Sequence, residues 1–233
     1  MAIESIDTSS IPTMVPRQSS RRSHALFVAL QKDIVLGDLA PEKALTELDL
    51  AQRFQCSQST VREALMQLHE EGLVIRQPNR GTHVAPCNAD DAAALLRIRH
   101  EVECSTLDRV VARTQDALLA DLRGLLNAMR NAARDADEYL LSVYDRAFHL
   151  RLFEAADLPL VTPILTRCLI HNHRYKIQRS QPNRALDETA ERHVPIIEAL
   201  AARDEAALRP LLSHHILTIV DFGPDLTLQG VST

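Results

Sequence analysis

Long apolar runs are missing from this chain. Nothing in its 233 residues approaches the run of about 18 apolar positions that a membrane-spanning helix needs, and no charged-then-apolar leader opens it, so a cytoplasmic location is expected. Cysteine is sparse: Cys56, Cys87, Cys104 and Cys168 are scattered without a C-x-x-C pair, which argues against a zinc ribbon or a disulfide framework and for reduced core fillers. Basic charge is not in excess. A net charge of −5 excludes a wholly basic, histone-like binder, and any affinity for a duplex has to come from a local patch. There is no His-Glu-x-x-His motif. Glycine is nearly absent beyond Asn88, where Gly124 alone interrupts the chain before Gly223, so alanine-leucine helical patterning can dominate that half.

What is present suits a two-domain globular protein, with 45% hydrophobic and 24% charged residues. From Arg17 to Arg80 there are nine Lys/Arg against eight Asp/Glu, and downstream 17 against 21, a modest asymmetry favouring the N-terminal part as the one that meets an anionic partner. Residues 1–21, with several serines and prolines and little periodicity, read as a flexible tail in which Arg17 and Arg21, with Arg22 just beyond, are placed for phosphate contacts.

The stretch from Thr46 to Val84 carries the densest pattern. Thr46 is a plausible N-cap for a short helix bearing Leu48, Leu50, Ala51 and Phe54. After a break at Gln55-Cys56, Ser57 caps a second helix in which Val61, Ala64, Leu65 and Leu68 recur at three and four residues, until Gly72 ends it. Leu73-Val74-Ile75 and Thr82-His83-Val84 are β-prone runs around Gln77-Pro78-Asn79-Arg80-Gly81, which favours a turn. Two short helices followed by a hairpin form a winged helix-turn-helix.

Leu50-Ala51, Cys56-Ser57, Val61-Arg62-Glu63-Ala64-Leu65, Leu68, Glu71-Gly72-Leu73-Val74 and Arg80-Gly81 together resemble the DNA-binding domain of GntR-family transcription regulators. An upstream helix pattern through Leu26, Leu30, Ile34 and Val35, ending at Gly37, resembles that family's first helix. The resemblance covers residues 22–86. In a helix-turn-helix the start of the second helix faces the major groove, so Gln58, Ser59, Thr60 and Arg62 are the candidate DNA contacts, with Arg76, Arg80 and Gly81 at the wing. An exposed helix charge is the plain alternative for Arg62. Family members often carry arginine where this chain has Gln58, which implies a different base preference here.

Residues 87–222 are expected to form an all-α six-helix bundle with segments at 88–114, 116–134, 137–156, 161–180, 184–202 and 204–221, and residues 223–233 a tail. Asn88 and Thr162 are candidate caps, and Pro195 and Pro210 predict a late helix start or a kink. In the third segment Asp145 and His149 fall one turn apart on the apolar face with Leu141, Phe148 and Leu152. His193 shares a stripe with Ile196, Ile197 and Leu200, and His215 with Leu208, Leu211, Leu212 and Ile219. Three imidazoles and a carboxylate inside a bundle offer ligands for zinc, nickel, manganese or another divalent ion, although each histidine alone reads better as a hydrogen-bonded core or surface residue and Asp145 with His149 alone as a helix pair.

Asp145-x-x-Phe148-His149 followed by His193 and His215 resembles the ligand domain (FCD type) of the FadR branch of GntR regulators, and the six-segment count its VanR-type subgroup. The resemblance implies that Asp145, His149, His193 and His215 hold a divalent metal, zinc foremost. It also implies a homodimer that binds operator DNA, a repressor, released by a small carboxylate effector. Arg99 is placed either to pair with Glu103 four residues on or to fork onto that carboxylate, and Arg174, near His171 and His173, is either a second candidate for the effector cavity or, the better reading of its position, a residue of a solvated or interface face. A metal-responsive regulator without an organic effector, and a metallohydrolase, stay open as alternatives; the lack of an evident general base beside the cluster weighs against the latter.

Overall fold

The computed structural model describes residues 21–77, 81–179 and 185–219. The N-terminal domain begins with α1 (Arg21–Leu36), whose Leu26, Phe27, Leu30 and Ile34 are buried. Gly37, at φ +92°, ends it in the left-handed region that a Cβ would strain. The cap of α2 (Glu47–Arg53) is Thr46, whose hydroxyl accepts the Asp49 amide at 3.1 Å. Ser57 likewise accepts the Thr60 amide at 3.2 Å to start α3 (Gln58–Glu70), whose Val61, Ala64, Leu65 and Leu68 are fully buried. The hairpin of β2 (Val74–Gln77) and β3 (Gly81–Val84) is the expected wing. Its turn residues, Arg80 among them, lie outside the described residues. A short strand that patterning did not reveal, β1 (Ala44–Leu45), completes a sheet of order β1-β3-β2; two residues are too few to show alternation.

Among the described residues the C-terminal domain holds eight helices: α4 (Ala89–Ser105), α5 (Leu107–Ala112), α6 (Asp116–Arg134), α7 (Glu138–Glu154), α8 (Thr162–Arg179), α9 (Leu186–Glu191), α10 (Val194–Ala201) and α11 (Glu205–Leu217). The six expected segments are recovered, but the first and fifth are each broken once. The first breaks at Thr106, whose hydroxyl donates to the carbonyls of Val102 and Glu103 and so competes with the helical ladder. The fifth breaks before Val194, where Pro195 in the first turn of α10 lacks the amide hydrogen needed to continue α9. Pro195 therefore gives the late start; Pro210 sits inside α11, which begins ahead of it. Asn88 caps α4 through the Asp91 amide, whereas Thr162 is already the first residue of α8.

Each domain has its own apolar core. The cores are not wholly separate: Tyr139 of α7 and Ile170 of α8 pack into that of the DNA-binding domain. Those two helices thus touch both domains.

Candidate functional site

α7 presents Asp145 and His149 to the bundle interior, both buried, as their spacing predicts. His193 arrives at the α9–α10 break and His215 from the last turn of α11, also buried. One ring nitrogen from each of His149, His193 and His215 lies within 4.8 Å of the other two. His149 Nε2 and His215 Nε2 stand 3.1 Å apart, and the Asp145 carboxylate is 3.7 Å from His149 Nε2 and 3.6 Å from His193 Nε2. Ligands sharing one ion with bonds of about 2.1 Å stand roughly 3.0–3.4 Å apart; the His149–His215 pair stands at that spacing and the Asp145 contacts just beyond it, within a histidine group spread over up to 4.8 Å.

Proton bookkeeping also favours a cation. Glu103 Oε2 lies 2.6 Å from His149 Nδ1; an ionised carboxylate only accepts, so Nδ1 carries the proton and a neutral ring turns its Nε2 lone pair inward. His193 Nδ1 faces the carbonyls of Thr189 and Ala190 at 3.1 and 3.2 Å, which fixes its proton there. His193 Nε2 is then a buried lone pair with no hydrogen-bond partner, aimed at a carboxylate oxygen. Two acceptors facing each other in an apolar interior are unfavourable until a cation joins them.

The titration behaviour agrees. Burial pushes His193 down to about 4 and His215 well below its usual range, with neighbouring imidazoles adding to both, so these rings are neutral and ligand-competent at ordinary pH. For Asp145 burial opposes ionisation, but His173 first, then His193 and His149, hold its carboxyl well below the usual range.

Two residues join the site in roles that sequence patterning did not assign. His173 of α8 is buried, with Nε2 3.0 Å from Asp145 Oδ1, and burial lowers it to about 3. Glu103 connects Arg99 to His149: it accepts Arg99 Nε at 2.6 Å through its other oxygen, and although burial would raise it, His149 and Arg99 bring it to about 2. The i,i+4 pairing of Arg99 with Glu103 is therefore present. It leaves Arg99 Nη1 and Nη2 buried and without a hydrogen-bond partner.

Arg174 is reassigned. Its Nη2 donates to Ala85 O at 2.8 Å and its Nη1 to Pro86 O at 3.2 Å, so this buried guanidinium serves the segment joining the domains rather than the cavity around Asp145. The interface alternative is the one the structure shows, because consecutive residues of α8 diverge by about 100°, turning His173 inward and Arg174 toward the domain junction.

On the opposite domain the first turn of α3 exposes Gln58 and Ser59, leaves Thr60 half-buried and exposes Arg62 one turn on. Ser57 Oγ lies within 2.8 and 2.9 Å of the Ser59 and Thr60 hydroxyls, so that turn presents an ordered row of hydroxyl groups. Arg62 Nε donates to Glu47 Oε2 at 2.7 Å, a contact between α2 and α3. Arg76 is exposed on β2, and Gly81, at φ +78°, has open space around its α-carbon.

These features coincide with known families. Residues 23–84 match the bacterial regulatory proteins of the gntR family, and residues 94–218 match the FCD domain. The chain belongs to the GntR family of transcription regulators. It is a DNA-binding regulator with an FCD ligand-binding domain and not an enzyme. It is 31% identical over 199 residues to the HTH-type transcriptional regulator BphR of Paraburkholderia xenovorans, spanning 82% of this chain and 81% of that one. It is 26% identical to the HTH-type transcriptional repressor RspR of Escherichia coli K12, over 83% of this chain and 85% of the relative. The solved structure of E. coli McbR/YncC has the same fold, with a TM-score of 0.70 at 21% identity over 85% of this chain and 95% of that structure. No helix among the described residues of this GntR regulator is long and apolar enough to cross a membrane.

Proposed function

We propose that this GntR-family regulator is a dimeric repressor whose FCD domain holds a divalent metal, zinc first among them, on Asp145, His149, His193 and His215, and senses a small carboxylate there. The observation that carries the reading is the His193 Nε2 lone pair, buried without a hydrogen-bond partner, 3.6 Å from the Asp145 carboxylate and clustered with His149 and His215. An ion bound there supplies a Lewis-acid anchor for a carboxylate oxygen. Glu103 keeps the His149 proton on Nδ1 and so holds Nε2 in its ligand form. Arg99, its Nε committed to Glu103, offers its two free Nη groups as a fork for the same carboxylate.

A ligand switches DNA binding only if it favours one domain arrangement over the other. In a dimer, moving the two α3 helices out of half-site spacing would release the operator. The name of RspR, a repressor, supports the sign of the response.

The test uses the full chain loaded with zinc and a duplex that it selects from a random-sequence library. A panel of small mono-, di- and 2-hydroxy-carboxylates is screened by thermal shift, and each binder is titrated against the protein–duplex complex. The expected result is a binder that lowers duplex affinity at least tenfold. Binders that leave affinity unchanged at saturation would overturn the effector role; a response to zinc alone would favour metal sensing.

A further inference from the structure

The C-terminal end of recognition helix α3 is not self-sufficient. Its last carbonyls need partners, and two are met locally: Leu73 N donates to Leu68 O at 2.8 Å and Gly72 N to His69 O at 2.9 Å, a glycine-terminated cap with Gly72 at φ +75°. The carbonyls of Glu70 and Glu71 remain. Both are taken by α8: Arg167 Nη2 donates to Glu70 O at 3.0 Å, and His171 Nε2 lies 3.0 Å from Glu71 O. The Arg167 guanidinium packs so close to Gly72 that a Cβ there would meet it at 2.9 Å.

The same face of α8 continues. One turn on, Arg174 holds Ala85 O and Pro86 O, and one turn further Gln178 Nε2 donates to Ile34 O at 2.9 Å, an end carbonyl of α1. Residues 167, 171, 174 and 178 are spaced four, three and four apart, a single stripe of donors along one helix. Each donates to a backbone carbonyl of the DNA-binding domain or its linker. The adjoining face of α8 carries His173 at Asp145 Oδ1.

From this we infer that Arg167 and His171 are positioning residues for DNA recognition: they fix the tilt of α3 by gripping its C-terminal carbonyls. α8 then conveys the state of the Asp145 site to α3, as one rigid rod with His173 on one face and the grip on the other. The conveying step rests on the metal reading above, whereas the positioning role does not. A cation and a donor at a helix C-terminus are also electrostatically favourable, which suits arginine at the first position.

Arg167 is exposed and His171 half-buried, so alanine at either leaves the cores intact. The experiment measures affinity of the full-length Arg167→Ala, His171→Ala and double variants for the duplex selected by the wild type, across a salt series, with melting temperature alongside. Loss of one such hydrogen bond predicts affinity down about three- to tenfold per variant. The salt slope should stay unchanged, because a positioning residue neutralises no phosphate. Arg167→Lys and His171→Gln, which keep a donor, should recover most of the loss. Unchanged affinity, or a slope reduced by about one, would overturn the positioning role.

The conveying step has its own readout: a carboxylate from the panel that binds zinc-loaded protein and lowers duplex affinity in the wild type should lower it less in the double variant. An equal shift in both refutes it. No effect of any bound panel carboxylate on wild-type affinity refutes the effector reading and the conveying step with it, and leaves the grip to be judged on affinity alone.

Discussion

Glu103 and His149, 46 positions apart in the chain and on different helices, meet through a 2.6 Å contact between a carboxylate oxygen and Nδ1. That contact selects the imidazole tautomer and hence what the inner nitrogen can do. A partner of this kind on a metal-ligating histidine typically accounts for about 10–100-fold in metal affinity. Glu103→Gln should therefore weaken zinc binding by about that factor, as read by competition with a chromophoric chelator. An unchanged affinity would mean that Glu103 serves Arg99 alone.

Arg99 has two buried nitrogens with nothing to bond. If they await a carboxylate, Arg99→Ala should abolish the effector's stabilisation in a thermal-shift titration while zinc content stays at wild-type level. Lysine should restore little, since a point charge does not reproduce a planar fork. Loss of zinc together with effector binding would instead make Arg99 a support for Glu103.

Arg62 is tethered to Glu47, an exposed pair. Such pairs contribute less than about 1 kcal/mol to stability, so Glu47→Gln should barely move the melting temperature. Arg62→Ala should weaken the selected duplex by about tenfold or more and relax discrimination at one base position. A uniform loss over all base substitutions would assign Arg62 to phosphate instead.

At the α3 terminus Glu71 is raised from 4.5 to about 7, chiefly by burial and against the opposing effects of Gln31 and Arg146. An acid whose folded value is raised is protonated on folding, so its contribution is fully present below about pH 4.5 and is lost as pH rises through about 7. The corresponding difference is of order 3 kcal/mol at most. Urea unfolding from pH 5 to pH 8 should show wild-type stability falling relative to Glu71→Gln. Parallel pH profiles would show that Glu71 ionises freely.

The DNA-binding domain was legible because its signals are local. Thr46 and Ser57 cap within three residues, and Gly37 and Gly72 take positive φ angles where their helices end. That Asp145, His149 and His215 turn into the bundle was legible for a related reason: one turn of helix separates Asp145 from His149, and His215 lies on an apolar stripe. His193 is brought inward despite sitting at a helix break.

What patterning could not supply was pairing between distant helices. Neither Glu103 against His149 nor His173 against Asp145 leaves a mark on either helix alone. Arg174 stayed open between cavity and interface because its partners, the carbonyls of Ala85 and Pro86, are backbone atoms with no sequence signature. The spacing of Arg167, His171, Arg174 and Gln178 was a usable clue: a polar stripe along a helix whose middle is buried.

The most direct test of the account is elemental analysis of the purified full-length protein beside its His149→Ala variant, each dialysed against zinc and then against buffer. The account predicts about one zinc per wild-type chain, from the single ligand set of Asp145 with three histidines, and almost none in the variant. Equal metal in the two proteins would contradict it.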